Sequence, residues 1–484
     1  MGKPDGFLTI ERLDDSYRDV GERIADYDEI RLPLRSGKRR SQAGRCMDCG
    51  VPFCQSGMIL NGMMTGCPLH NLIPEWNDEI WLGNHEHALA RLLKMNPFPE
   101  FTGRVCPALC EKACLNGMDG EPVTIRDNEY YLIEYAFSNG LVRPKPPAVR
   151  SGKKVAVIGS GPAGLSAAYR LNQRGHEVTV YERDEEIGGL LMFGIPNMKL
   201  DKSVITRRRR LMEEEGVRFC TNTNVGVDLP IETLKEYDAV VLACGAKQAR
   251  IPAIEGLESC EEAVPAVEWL SEVTRNLVKG KEIADLSGKH VVILGGGDTG
   301  NDCAAVSVRR HAEQVTQIEM MKRPPEIRTA DNPWPEWPKV LKTDYGQVEA
   351  AHVYGADPRR FSATITRLFT EDGHLVKAEL AETEFKDGKL TVKEEGREII
   401  PCHLLIIAAG FTGTEKGLPE ALGIELSNRN TVVSQPGKYS TGTPGFFTAG
   451  DMHRGQSLVV HAINEGWQCA GEVDAYLMGY TNLV

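Results

Sequence analysis

The sequence predicts an α/β protein with two Rossmann-like units, preceded by a mainly α-helical block rich in cysteine. Three observations lead there. KKVAVIGSGPAG and KHVVILGGGDTG, about 136 residues apart, are each an apolar strand running into a glycine turn and then a helix. From Lys154 onward, short buried runs alternate with helical patterns, as in a parallel sheet. Finally, seven of the 13 cysteines fall between Cys46 and Cys114, while Cys220, Cys244, Cys260, Cys303, Cys402 and Cys469 are scattered singly. The scattered ones read as small buried hydrophobes.

The 484 residues allow two or three domains, and 41% hydrophobic with 26% charged residues exclude disorder along the whole length. A net charge of -12 argues against a dedicated nucleic-acid binder. The run Arg207–Arg210 is followed by Glu213–Glu215, so Arg209 and Glu213 sit at i, i+4; a solvated, salt-bridged helix face is expected. No apolar stretch approaches membrane-spanning length. The opening MGKPDGFLTIERLDD lacks a signal-peptide core, and Gly6 in place of Ser or Thr makes Gly2 a poor myristoylation site. The expected location is the cytoplasm, with neither membrane nor nucleic acid as a partner.

Clustered thiols in a cytosolic chain point to metal rather than to disulfides. The spacing is Cys46-x2-Cys49-x4-Cys54-x12-Cys67-Pro68, then Cys106-x3-Cys110-x3-Cys114. Pro107 suits a helix start, and ligands at i, i+4 and i+8 would lie along one helical stripe. A structural zinc needs four ligands, in paired knuckles, and only one C-x2-C pair exists here. Two [4Fe–4S] cubanes need eight ligands, one more than the cysteines supply. Iron–sulfur is favoured because the rest of the chain handles electrons; a zinc-bound docking module is the non-enzyme alternative.

In the first turn, Gly159, Gly161 and Gly164 permit a tight bend, close approach of a diphosphate and close helix–strand packing. Glu182 ends the next strand, where a carboxylate accepts from ribose hydroxyls. The second turn carries Gly295, Gly297 and Gly300. After it, Glu319 favours NAD, whereas Lys322 and Arg323 accommodate a 2′-phosphate, and the balance leans towards NADPH. Near the C-terminus, Gly450 and Asp451 lie on a strand-to-helix turn suited to ribityl hydroxyls. No side chain is singled out as catalytic, because hydride transfer is cofactor-based. A thioredoxin-reductase-like enzyme is rejected, since no cysteine pair follows Cys114.

Several strings, GRCMDCGVPFC, GCPLHNLIPEWND, FPEFTGRVCPALCEKAC, GGLLMFGIPNMKL and DNPWPEWP among them, make the chain resemble glutamate synthase small (β) subunits along nearly its whole length. That family resembles the N-terminal part of dihydropyrimidine dehydrogenase joined to an adrenodoxin-reductase-like core. The resemblance implies one [4Fe–4S] cluster on Cys46, Cys49, Cys54 and Cys114 and another on Cys67, Cys106 and Cys110. The eighth ligand is a glutamine in the related dehydrogenase; the matching residue in EPVTIRDNEYY is Glu129. FAD is implied at Gly159, Gly161, Gly164, Glu182, Gly450 and Asp451, and NAD(P)H at Gly295, Gly297 and Gly300; Gly189 is a further candidate cofactor-binding residue, beside the Lys322 and Arg323 read from the strand end.

The expected domains are 1–145, the double-cluster block; 146–287 and 412–484, the two parts of an FAD unit; and 288–411, the NAD(P)H unit. RPKPPAVRSGKK reads as the linker after the first. The implied role is to oxidise NADPH or NADH at FAD and feed electrons through the clusters to the FMN-containing glutamate synthase large (α) subunit, in a hetero-oligomer. An NAD(P)H:ferredoxin oxidoreductase subunit is the enzymatic alternative. Met1–Gly2 offers no N-terminal nucleophilic Cys for a glutaminase.

Overall fold

The computed structural model describes residues 3–386 and 389–483. Gly2, the site weighed for myristoylation, lies outside them.

The first Rossmann-like sheet is parallel throughout, in the order Phe446–Thr448, Ala239–Leu242, Lys154–Ile158, Glu177–Tyr181, Arg218–Cys220. The second repeats the plan as Ala263–Pro265, Leu404–Ile407, His290–Leu294, Gln314–Glu319, Arg359–Phe361. KVAVI and HVVIL can sit centrally because both faces are covered, and Val155, Ala156 and Val157 are wholly buried. In each sheet the glycine-turn strand lies where strand order reverses, which opens a crevice at its carboxyl end. Ala263–Pro265 belongs to the second sheet although it precedes residue 288, because it forms the parallel edge beside Leu404–Ile407. An antiparallel hairpin, Ala363–Glu371 with His374–Lys386, is inserted between strands of the second unit.

The cysteine block is helical, as its sequence suggests. Ile73–Leu82 and His85–Met95 are separated by Gly83 at φ 86°, and Ile125–Ser138 is its longest helix among the described residues. The single stripe expected for Cys106, Cys110 and Cys114 does not form. Pro99–Val105 ends before Cys106, which is extended as a residue before proline must be. Ala108 is left-handed at φ 61°, and only Leu109–Lys112 is helical, so Cys114 is turned away from the other two.

This block is not tethered loosely. Trp76, Phe98, Phe101 and Leu132 share one continuous core with Val155, Leu165 and Ile463 of the first Rossmann unit. The arginine run expected to face solvent lies at this joint. Arg208 is 2% exposed and pairs with Glu100 at 2.6 Å, Arg207 pairs with Glu134 at 2.8 Å, and only the Arg209–Glu213 pair at 2.9 Å is the expected one. The expected linker is pinned as well: the Lys145 N–H donates to Glu215 at 3.0 Å, and Arg150 donates to Asn172 at 2.8 Å.

The N-terminal segment clasps the second unit. Glu349, on the helix Tyr345–Tyr354, is fully buried and accepts from Arg23 Nε at 2.7 Å and Arg309 Nη1 at 2.5 Å. Removing a buried partner strands the remaining charges. Glu349→Ala is therefore expected to lower unfolding stability by about 3–5 kcal/mol; a urea midpoint equal to wild type would contradict it.

Candidate functional site

Four thiols converge where the broken helices leave a hollow. Cys46, Cys49, Cys54 and Cys114 line a hollow walled by Phe53, Ile73, Val123 and Ile125. Cys67, Cys106 and Cys110 form a second set, each within electrostatic reach of Glu129. The two sets are adjacent, since the Cys67 N–H donates to the Cys54 carbonyl at 2.7 Å. Burial pushes the thiols of Cys46 and Cys67 up to about 12 and that of Cys106 to about 11, so a soft metal must supply the charge that makes them thiolates.

Glu129 is 8% exposed on the helix Ile125–Ser138, and Thr102 Oγ1 donates to its Oε1 at 2.5 Å. Burial raises its carboxyl to about 7, with the Thr102 bond opposing. Among the described residues, no three or more His, Cys, Asp and Glu side chains close around a point as a lone metal ion needs. The first thiol set instead rings a hollow, the wider arrangement that a four-iron cage takes.

Above the first sheet lies a cleft of about 620 Å³. Gly159, at φ 99°, turns the chain so tightly that a Cβ would meet the Ala243 carbonyl at 2.5 Å, and one on Gly164 would meet the Gly159 carbonyl at 2.0 Å. A Cβ on Gly161 would meet nothing, since that residue faces the open cleft as a diphosphate cradle must. Gly189 and Asp451 line the same cleft, and Gly450, at φ 74°, sets the turn that delivers Asp451. Burial raises the Asp451 carboxyl to about 6, against a 2.7 Å bond from Ser457 Oγ. Glu182 is 4% exposed, and its Oε2 accepts from the Ser160 N–H and Oγ at 2.9 and 2.6 Å.

A second cleft, about 550 Å³, opens between the units and includes Gly297, Asp298, Thr299 and Gly410. It shares Gly189, Lys247 and Phe411 with the first, so two ligands bound there would meet. Gly295 and Gly300 shape the turn without lining this cleft. Lys322 and Arg323 do not line it either; both are exposed beyond Glu319, and Arg323 pairs with Glu326 at 2.6 Å. Glu319 itself packs on the turn, where a Cβ on Gly296 would meet its Oε2 at 2.0 Å.

Several lining residues escaped the sequence reading. Lys199 Nζ meets Asp302 at 2.9 Å, and Tyr345 OH donates to the same carboxylate at 2.8 Å. Glu465 fixes the Asp451 turn by accepting from the Gly450 N–H at 2.9 Å. Asp302 lies one helical turn beyond Asp298, a spacing that could have pointed to it; Glu465 carries no such signal, because it acts across the fold. Of the scattered cysteines, four are buried as expected, whereas Cys220 and Cys244 are half-buried and Cys244 lines the first cleft.

The pyridine nucleotide-disulphide oxidoreductase family matches residues 153–338 and 348–466, and dihydropyrimidine dehydrogenase domain II, 4Fe-4S cluster, matches 23–141. FAD, NAD(P)H and [4Fe–4S] ligation accompany these matches, and the cradle and thiol sets fit them. The glutamate synthase [NADPH] small chain of Bacillus subtilis is 45% identical over 492 residues, covering 99% of this chain and 99% of that protein. The Schizosaccharomyces pombe glutamate synthase [NADH] is 42% identical over 497 residues, covering 100% of this chain and 23% of that longer protein. Mycobacterium tuberculosis FprA has the same reductase fold, with a TM-score of 0.53 at 19% identity over 69% of this chain and 85% of its own. By full-length similarity and by both of its parts, the chain belongs to the glutamate synthase small chain family.

Proposed function

We propose that this chain is the electron-input subunit of a glutamate synthase, oxidising NADPH and passing electrons through two [4Fe–4S] clusters to a large subunit. One observation carries the reading. Val105 lines the flavin cleft, and the next residue, Cys106, lines a hollow that also reaches Lys199 of that cleft. The second thiol set therefore abuts the flavin cleft, and the first set follows it through the Cys54–Cys67 contact. FAD, when bound, supplies the step from a two-electron hydride to single electrons. The protein's part is orientation: Gly189, Lys247 and Phe411, shared by the two clefts, would bring a bound nicotinamide up to a bound flavin.

On this reading Cys46, Cys49, Cys54 and Cys114 hold one cluster, and Cys67, Cys106, Cys110 and Glu129 hold the other. Gly159, Gly161, Gly164, Glu182, Gly189, Gly450 and Asp451 serve FAD; Gly295, Gly297 and Gly300 serve the nicotinamide nucleotide. Lys322 and Arg323, exposed past the strand that ends at Glu319 and outside the cleft lining, are the basic residues that would favour the 2′-phosphate of NADPH, Arg323 on giving up its pair with Glu326. On the same reading 1–145 is the double-cluster block, 146–287 and 412–484 form the FAD unit and 288–411 the nucleotide unit, with the edge strand Ala263–Pro265 added to the last. The fission-yeast relative, in which the matching stretch is a minor part of a longer polypeptide, supports a large-subunit partner and a hetero-oligomer. A cytoplasmic setting suits reduced thiols.

Anaerobically purified protein is expected to hold about eight irons with matching sulfide, and one FAD; zinc without iron would overturn the reading. Glu129→Ala is expected to halve the iron and remove one of two paramagnetic resonance signals, and full iron with both signals unchanged would refute its role. Gly161→Val, which meets open space in the fold, is expected to leave the melting curve of flavin-free protein unchanged while weakening FAD binding more than tenfold, as read by flavin retained on gel filtration.

A further inference from the structure

Arg126 sits in the first turn of the helix Ile125–Ser138, one turn before Glu129. Its side chain lines the hollow that contains Cys106 and Pro107, and its charge acts on both Cys106 and Glu129. Its backbone N–H is used, donating to Glu111 Oε1 at 2.9 Å. Its Nε is shut away from solvent and makes no hydrogen bond. Asp127, 3.7 Å from that nitrogen, is already engaged by Arg31 at 2.7 Å. A guanidinium donor left over at a buried position is costly unless an anion lies against it.

We propose that Arg126 is a positioning residue that raises the reduction potential of the cluster held by Cys67, Cys106, Cys110 and Glu129. The proposal rests on the cluster assignment made above. Reduction adds one negative charge to a cluster, and the Arg126 guanidinium, 31% exposed but with its Nε shut away from solvent, is a fixed cation that favours the more negative state. A carboxylate ligand also adds a charge that an amide ligand would not, and Arg126 stands one helical turn away to offset it. The other thiol set lies beyond Cys54, so the effect is confined to one cluster. That cluster abuts the flavin cleft, where a raised potential draws the first electron out.

The test is an anaerobic redox titration of the complete synthase, with each cluster followed by its own paramagnetic resonance signal. In Arg126→Gln, iron, sulfide and FAD are expected to stay at wild-type content. At the potential where the wild-type cluster is half reduced, its reduced-to-oxidised ratio is expected to fall about tenfold, which is about 59 mV for one electron. The other cluster is expected not to move, and Arg126→Lys to recover most of the loss. Unmoved midpoints in a fully loaded Arg126→Gln, or a shift confined to the other cluster, would overturn the proposal. If Arg126→Gln loses iron, the charge-balanced double variant Arg126→Gln/Glu129→Gln is expected to regain it, and a double variant still short of iron also overturns the proposal. Failure of the underlying cluster assignment is distinguishable, because it would appear as missing iron in the wild type.

Discussion

The cysteine block and the first Rossmann unit share a single apolar core, and the rest of the molecule depends on that sharing. A carrier of electrons between buried sites needs those sites at a fixed separation, and independent domains on a linker could not hold one. Phe98 and Tyr169 meet across the joint with ring centroids 5.9 Å apart, and Arg208 with Glu100 is buried beside them. Neither charge could stay there alone, because each leaves water only by virtue of the other. The pair thus fixes how the block is seated while the apolar contacts supply the attraction. Seating brings Val105, the neighbour of Cys106, to the wall of the cleft above the first sheet.

Much of this was legible in the sequence because the demands were local. A strand feeding a glycine turn and a helix is built from neighbouring residues, so both Rossmann starts and the Asp451 turn lie where the pattern predicts. Helices of the cysteine block could likewise be read from their apolar spacing. What could not be read was whatever depends on distant partners. Arg207 and Arg208 look like a solvated run until Glu134 and Glu100, far earlier in the chain, are brought against them. The linker looks free until Glu215 and Asn172 hold it. The stripe expected for Cys106, Cys110 and Cys114 had a local contradiction that went unweighed: a proline directly after Cys106 forces that residue out of the helix.

The site was legible to a similar depth. The thiols could be counted and Glu129 placed by its surroundings in sequence, yet spacing alone does not show that Cys114, past the end of the helix Leu109–Lys112, joins Cys46, Cys49 and Cys54 around one hollow. Lys199, Asp302 and Tyr345 come together from the first unit, the second glycine-turn helix and the helix after it, and no window of sequence holds all three. Charged residues in such a junction are set by complementarity across it, which periodicity does not encode.

The first sheet also has a bearing on how the protein is made. Its edge strand Phe446–Thr448 and the cleft wall from Asp451 to Ala462 come from the last part of the chain to be synthesised, whereas Glu129 and all seven clustered cysteines come from the first third. A nascent chain on the ribosome therefore exposes every sulfur of the block long before it can close a pocket around a flavin. The two kinds of prosthetic group, clusters and flavin, thus draw on stretches of polypeptide that emerge at different times.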